Sequence, residues 1–414
     1  MPEQSRERLP AAIWVLVGGA FLVAVGYGMV APILPVFVRT FDVGITAASF
    51  VVSVFALSRL VFAPAAGRVI ARFGELPGFL VGVAVVAITN AAMPFAAQYW
   101  QLITLRVVGG IGSTMFTVSS LSLLVRMSPP SLRGRASGWW ATGFLLGNIT
   151  GPVLGGGLAD LDLRVPFWVY AGSLTLVILI CGPLLRGRAA DDTDAAGAAA
   201  PPARFVDALR HRAYRAALMG TFAHGWAVFG VRMSLVPLFV VEVLAQQASW
   251  SGIALAAFAV GSAATMVLSG RTADHWGRRP PVLAGLAVTA LGTGTIGLVT
   301  DPLWFLAVSF VSGLGAGIMN PPLNAVVADV LGGRRGGTVL AGFQMAGDLG
   351  AIAGPLAAGL LAEQAGYPAA FALTGVMLLL ALLVWLRAPE TLPTITAGEP
   401  GHPDTPTPIS KPTR

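Results

Sequence analysis

Residues 147–156 read Gly147-Asn148-Ile149-Thr150-Gly151-Pro152-Val153-Leu154-Gly155-Gly156, and residues 350–359 read Gly350-Ala351-Ile352-Ala353-Gly354-Pro355-Leu356-Ala357-Ala358-Gly359. The two stretches are 203 positions apart. The same shift carries Gly67-Arg68 onto Gly270-Arg271, Gly74 onto Gly277, and Gly110 and Gly112 onto Gly313 and Gly315. One constant offset through four separated segments is not a product of chance, even with 51 glycines in 414 residues. The chain reads as one unit written twice.

Composition decides what kind of unit it is. The chain is 55% hydrophobic and 11% charged, with a mean hydropathy of +0.77. A water-soluble domain carries about 25% charged residues, so this surface must face lipid. A spanning helix needs about 20 mostly apolar residues. Twelve such stretches lie near 11–37, 46–67, 78–97, 100–126, 136–159, 165–185, 213–241, 249–269, 280–300, 302–328, 338–362 and 368–387. Six fall in each copy. The expected fold is therefore all-α integral membrane, two pseudo-symmetric six-helix bundles of like orientation about an axis along the membrane normal. The expected organisation is an N-terminus at 1–10, bundles at 11–185 and 213–388, a linker at 186–212 and a disordered tail at 389–414. The first apolar stretch is longer than the roughly 7–15 residues of a signal-peptide core and is read as a retained span.

Arginine placement orients these spans. One set of connections carries Arg6, Arg8, Arg68, Arg72, Arg133, Arg135, Arg186 to Arg215, Arg271, Arg278, Arg279, Arg334 and Arg335; the other has only Arg39 and Arg164. The positive-inside rule puts the rich set, both termini and the linker in the cytoplasm. The net charge of +7 is thus a topology signal, and nucleic-acid binding is not expected. Cys181 is the single cysteine, so neither a disulfide framework nor a cysteine zinc site is expected. There is no phosphate-binding loop, no metal-ligand cluster, and no Ser/His/Asp set at one depth. An enzyme is not expected, nor any cofactor or metal.

Four motifs carry a resemblance. Gly270-Arg271-Thr272-Ala273-Asp274-His275-Trp276-Gly277-Arg278-Arg279 lies between spans 8 and 9, with an acid set among guanidiniums. Span 5 holds Gly147, Gly151, Pro152, Gly155 and Gly156: a flat glycine face and a proline that removes a backbone donor. Span 1 carries Gly26, Pro32 and Pro35, and span 4 carries Arg106, Gly110 and Gly112. In this order, over about residues 11–388, they resemble the major facilitator superfamily, and the span 5 pattern resembles its twelve-helix drug:proton antiporter branch. The resemblance implies that Asp274, with Gly270, Gly277 and Arg278, helps latch one conformation near the start of span 5. The first copy, Gly67 to Gly74, departs from the pattern: Ala71 stands for the acid, and Glu75 stands where a base is usual. The latch is therefore expected on the second copy.

Ionisable groups inside spans are functional candidates because burying charge in lipid is costly. Asp348 in span 11 is the carboxylate read deepest in a span and the first choice for a protonatable group; pairing with an arginine is its alternative. Arg106 matches the family arginine associated with proton coupling or substrate binding. Arg59, Arg232, His224, Gln344 and Asn320 follow as weaker candidates; Asn320, before Pro321 and Pro322, also reads as the cap of a helix break. Spans 1, 4, 7 and 10 line the cavity in this fold, so Phe116, Trp226, Phe229, Met233 and Met319 are candidate wall residues. Span 1 lacks the acid that members of this branch often carry, and the intramembrane arginines favour an anionic or neutral substrate. The expected function is alternating-access export of small amphipathic molecules, driven by the proton gradient, by a monomer in the cell membrane with lipid and substrate as partners. The alternatives are an importer or facilitator of a metabolite such as a sugar or organic anion, and a transporter-like receptor or lipid flippase.

Overall fold

The computed structural model describes residues 9–129, 132–186, 205–332 and 337–392, and among them there is no strand. Arg6, Arg8, Arg334, Arg335, most of the expected linker and the tail beyond residue 392 lie outside the described residues. Among the described residues, eleven helical rods are long and apolar enough to cross a membrane. In chain order with α5 they are α1 Ala11–Arg39, α2 Ile45–Phe73, α3 Glu75–Phe95, α4 Tyr99–Met127, α5 Arg133–Ala159, α6 Val165–Arg186, α7 Arg212–Glu242, α8 Ala248–Trp276, α9 Arg279–Leu298, α10 Pro302–Leu331, α11 Gly337–Ala365 and α12 Tyr367–Leu386. The exception to the apolar set is α5, whose 27 residues are rich in glycine and polar side chains. Its length still suits a span.

Lipid offers helices no hydrophobic reason to associate, so close packing through small residues must do it. Gly147, Gly151 and Gly155 of α5 lie against the backbone of Phe21, Val25 and Met29 in α1, where an added Cβ would come within 2.8 Å of backbone oxygens. Gly82 with Gly112 joins α3 to α4, and Gly285 with Gly315 repeats that contact in α9 and α10. The duplication is thus a duplication of contacts.

Prolines interrupt the rods less than expected. In α1 the helix pauses at residues 31–33, around Pro32, and resumes over Leu34–Arg39. In contrast, α10 runs unbroken through Pro321 and Pro322, so Asn320 does not cap a break. Proline at 322 frees the carbonyl of Ile318, and Ser269 of α8 donates its hydroxyl to that oxygen. A neighbour has restored the lost bond.

The two glycine motifs are helical for most of their length. Both α2 and α8 continue to Phe73 and Trp276, and the chain turns only at Gly74 and Gly277, with φ of +92° and +97°. That left-handed region admits glycine at little cost. Gly67 and Gly270 sit inside the rods, with nothing near the place a Cβ would occupy. Within the connection read as a linker, Phe205–Arg210 is a short helix whose Phe205 meets Tyr214 edge-on.

Candidate functional site

The two halves meet at one end of the bundle, and repeat-related groups make the contact. Glu363, at the end of α11, accepts from the Thr46 backbone N–H at 3.0 Å and the Thr46 hydroxyl at 2.5 Å, at the start of α2. Asp160, just past α5, accepts from the Ser249 N–H at 3.1 Å, at the start of α8. Each acid therefore caps the first turn of a helix in the opposite half, where free N–H groups and the helix dipole favour an anion. Arg39 of α1 joins Glu242 of α7 at 2.7 Å, and the Tyr367 hydroxyl donates to the same carboxylate at 2.6 Å. Just beneath, Gly252 closes on the Pro152 carbonyl, Gly156 on Ser249, and Ser53 Oγ donates to the Ile352 carbonyl at 2.8 Å. This is the sealed end. Pro152 and Gly156 of the α5 motif belong to it, whereas Gly147, Gly151 and Gly155 bind α1.

The opposite end carries the arginine-rich connections, and there each half pairs within itself. Glu75 bridges Arg126 at 2.7 Å. In the second half Arg278 bridges Asp329 at 3.2 Å and Asp274 at 2.5 Å. Glu75 and Arg278 share one repeat position, as do Arg126 and Asp329, so the same bridge is built with its charges exchanged. The first copy is not a degraded motif in this respect. Asp274 is mostly exposed and, among the described residues, pairs with Arg278 four residues on and not with the start of α5. The reason is local: one helical turn places residues i and i+4 on one face. Residues 389–392 also dock here. Glu390 accepts from the N–H of Arg278 at 2.7 Å and Arg279 at 3.0 Å. Burial pushes the Glu390 carboxyl up, but the backbone donors of Arg279, Arg278, Leu392 and Thr391 outweigh it and hold it below the usual glutamate range.

At mid-depth lie polar groups from both halves. Asp348 of α11 and Arg59 of α2 are half-buried, and their charges act on one another across the interface, without an ion pair between them among the described residues. Gln344, one turn earlier on α11, is exposed. His224 of α7 and Asn320 of α10 come together at 3.3 Å. Asn324, which sequence reasoning missed, donates to Asn320 Oδ1 at 2.9 Å. Asn320 Nδ2 then faces His224 Nε2, which accepts, and the ring proton belongs on Nδ1; that atom is buried without a partner. Only the i+4 spacing of Asn320 and Asn324 on one helix face hinted at this ladder.

Nearer the sealed end are two buried guanidiniums. Arg106 lies over the Phe55 ring at 4.1 Å, its Nε donating weakly to the Val51 carbonyl at 3.5 Å. Arg232 lies over the Phe258 ring at 3.8 Å and is 2% exposed. It ends a seven-residue π-helical segment, Gly225–Val231, that begins just after His224. Such segments cluster at functional sites.

The candidate wall residues divide. Phe229 is exposed and Met233 half-buried on α7. Phe116 instead packs on Phe79 of α3, Met319 on Gly285 of α9, and the Trp226 indole donates to Thr374 of α12 at 3.3 Å. These three face rods of their own half, not the interface: apolar periodicity does not tell which neighbour a helix face meets.

Two repeated six-helix bundles, joined at one end and lined at mid-depth by polar groups from both, are the architecture of a secondary transporter. The family model of the Major Facilitator Superfamily matches residues 16–248 and again 217–413. The chain belongs to that superfamily: it is a multi-pass membrane transporter and not an enzyme. It is 25% identical to the multi-drug resistance efflux pump PmrA of Streptococcus pneumoniae over 363 residues, 85% of this chain and 90% of that one. It is 24% identical to multidrug resistance protein 1 of Bacillus subtilis over 394 residues, 93% of this chain and 99% of that one. Among solved structures, a bacterial homologue of the human lysosomal transporter Spinster, inward-facing and unoccupied, matches with a TM-score of 0.75 at 16% identity, over 90% of this chain and 95% of that one. The human organic anion transporter MFSD10 (TETRAN) matches with a TM-score of 0.65 at 18% identity, over 91% of this chain and 100% of that one. These structural likenesses concern the fold.

Proposed function

We propose that this chain exports small amphipathic molecules, drugs among them, across the cell membrane by alternating access in exchange for protons, with Asp348 as the group that takes up and releases the proton. One observation carries the reading. Among the described acids of the twelve rods, all but Asp348 stand within two residues of a rod end, and Asp348 stands at mid-depth beside the interface of the halves. A carboxylate held there is costly unless it is used. Its attraction to Arg59 links α11 to α2; protonation removes that attraction and loosens the contact on which the halves rock. With the arginine-rich end in the cytoplasm, the state described is closed to the outside. The names of the efflux relatives support export and a drug-like substrate.

In proteoliposomes, Asp348→Asn is expected to lower proton-gradient-driven efflux about tenfold or more, about 1.4 kcal/mol in the barrier. Its melting temperature should remain near that of the parent, and Asp348→Glu should retain part of the activity. Unchanged efflux with an unchanged pH dependence would remove Asp348 from the mechanism. Accumulation in the opposite direction under the same gradient would favour a metabolite importer.

A further inference from the structure

We propose that the sealed half of the pathway holds a binding site for the anionic end of an amphipathic organic substrate (a carboxylate, sulfonate or phosphate group), with Arg232 as its main ligand and Arg106 as a second cation. The proposal rests on the reading of the chain as a transporter and names the substrate class of that site.

The first ground is an unbalanced charge. Arg232 is buried, its Nη1 has no hydrogen-bond partner, and no ion pair involves it among the described residues. Buried charges are ordinarily paired, because desolvation otherwise costs several kcal/mol. The described acids do not supply the partner: they stand at or near the rod ends, except Asp348, whose charge acts on Arg59 and which makes no ion pair with Arg232. Stacking on Phe258 offsets part of the cost and leaves the donors of the guanidinium fork to bind a carboxylate or phosphate.

The second ground is symmetry. Phe55 and Phe258 are related by the 203-residue repeat. The two guanidiniums stacked on them therefore lie at one depth on opposite sides of the pseudo-twofold axis, about 15 Å from the sealed end. Yet the arginines themselves are not related. The repeat position of Arg106 is Ser309, and the stretch of α1 that matches the surroundings of Arg232, Gly28 to Ala31, holds no arginine. Each half has placed a cation on the same ring from a different helix, which duplication alone does not explain. Ser309 Oγ, buried on α10 at the position matching Arg106, is a further hydroxyl without a partner. The exposed Phe229 and half-buried Met233 flank Arg232 along α7 and offer an apolar surface to the rest of an amphipathic molecule.

Fluorescein and rhodamine 123 share a three-ring core and differ in charge, the first an anion and the second a cation. Their binding to the full chain in nanodiscs is read by fluorescence polarisation, and transport by flux into proteoliposomes. The expected result is saturable binding with fluorescein preferred. Arg232→Gln should weaken fluorescein about tenfold, or about 1.4 kcal/mol, with rhodamine 123 unmoved; Arg232→Lys should lose less, and Arg106→Gln should lose part. If Arg232→Gln does not fold, the preference of the parent and the Arg232→Lys loss decide. A parent that prefers rhodamine 123, binds neither dye, or keeps its fluorescein affinity in both Arg232 variants overturns the proposal. So does chloride alone raising the melting temperature while fluorescein adds nothing, since the ligand is then an inorganic ion. Rhodamine 123 exported with no fluorescein binding would sink this site and leave the exporter reading standing. Fluorescein bound through Arg232 with no dye exported would do the reverse.

Discussion

At the sealed end, Asp160 and Glu363 reach into the opposite half, whereas at the arginine-rich end Glu75–Arg126 and Arg278–Asp329 stay within their own. The repeat is used in two ways. Across the halves it supplies two contacts of the same sign, an acid on a helix start, so that one symmetric motion can make or break both. Within each half it preserves a bridge between the start of the third or ninth rod and the end of the fourth or tenth, and the sign of the charges is free. Geometry is what the duplication conserved at that end.

The largest expected effect tests that freedom of sign. Arg278→Glu sets a third carboxylate against Asp274 and Asp329 and should cost about 2 kcal/mol or more. Asp329→Arg in the same chain should recover part of the loss, since Glu75–Arg126 already shows the reversed pair in place. Thermal unfolding of both single variants and the double measures it, and strictly additive losses would break the equivalence.

An intermediate effect is expected at the sealed end. Asp160→Ala with Glu363→Ala should raise several-fold the labelling of a cysteine placed at the buried Ser53, in a Cys181→Ala background, by an impermeant maleimide. Unchanged labelling would assign the seal to the glycine contacts alone. The smallest effect is that of Asp274→Asn, whose exposed pair should contribute less than about 1 kcal/mol. The same labelling assay asks whether Asp274 acts in the other conformation: equal accessibility in variant and parent would remove it from the latch.

Most of the rods were legible from hydropathy, with ends within a few residues. The misplaced ends were those of α2 and α8, which run on through the glycine motifs to Phe73 and Trp276. Hydropathy stops where arginines begin, but a helix stops where its backbone can turn, at Gly74 and Gly277. The repeat was clear except in α1 and α7. Gly147 packs on Phe21 and Val25, while Gly350 packs on Phe222 and Trp226, two positions short of the common offset. The π-helical segment that follows is a local departure from ordinary helical register, and no residue type announces it.

By itself the sequence determined the class of the molecule, because too few charges, eleven apolar stretches with a glycine-rich twelfth, and one constant offset leave lipid-embedded duplicated bundles as the only economical solution. It also singled out Asp348, Arg106 and Arg232, since ionisable residues in apolar runs are rare. Only the tertiary structure decided what these groups meet: Arg232 on Phe258 with no acid paired to it among the described residues, Asp348 within the field of Arg59, Phe116 and Met319 turned into their own bundles. The physical reason is that periodicity reports that a face is apolar or charged, while the partner of that face is set by contacts between residues far apart in the chain.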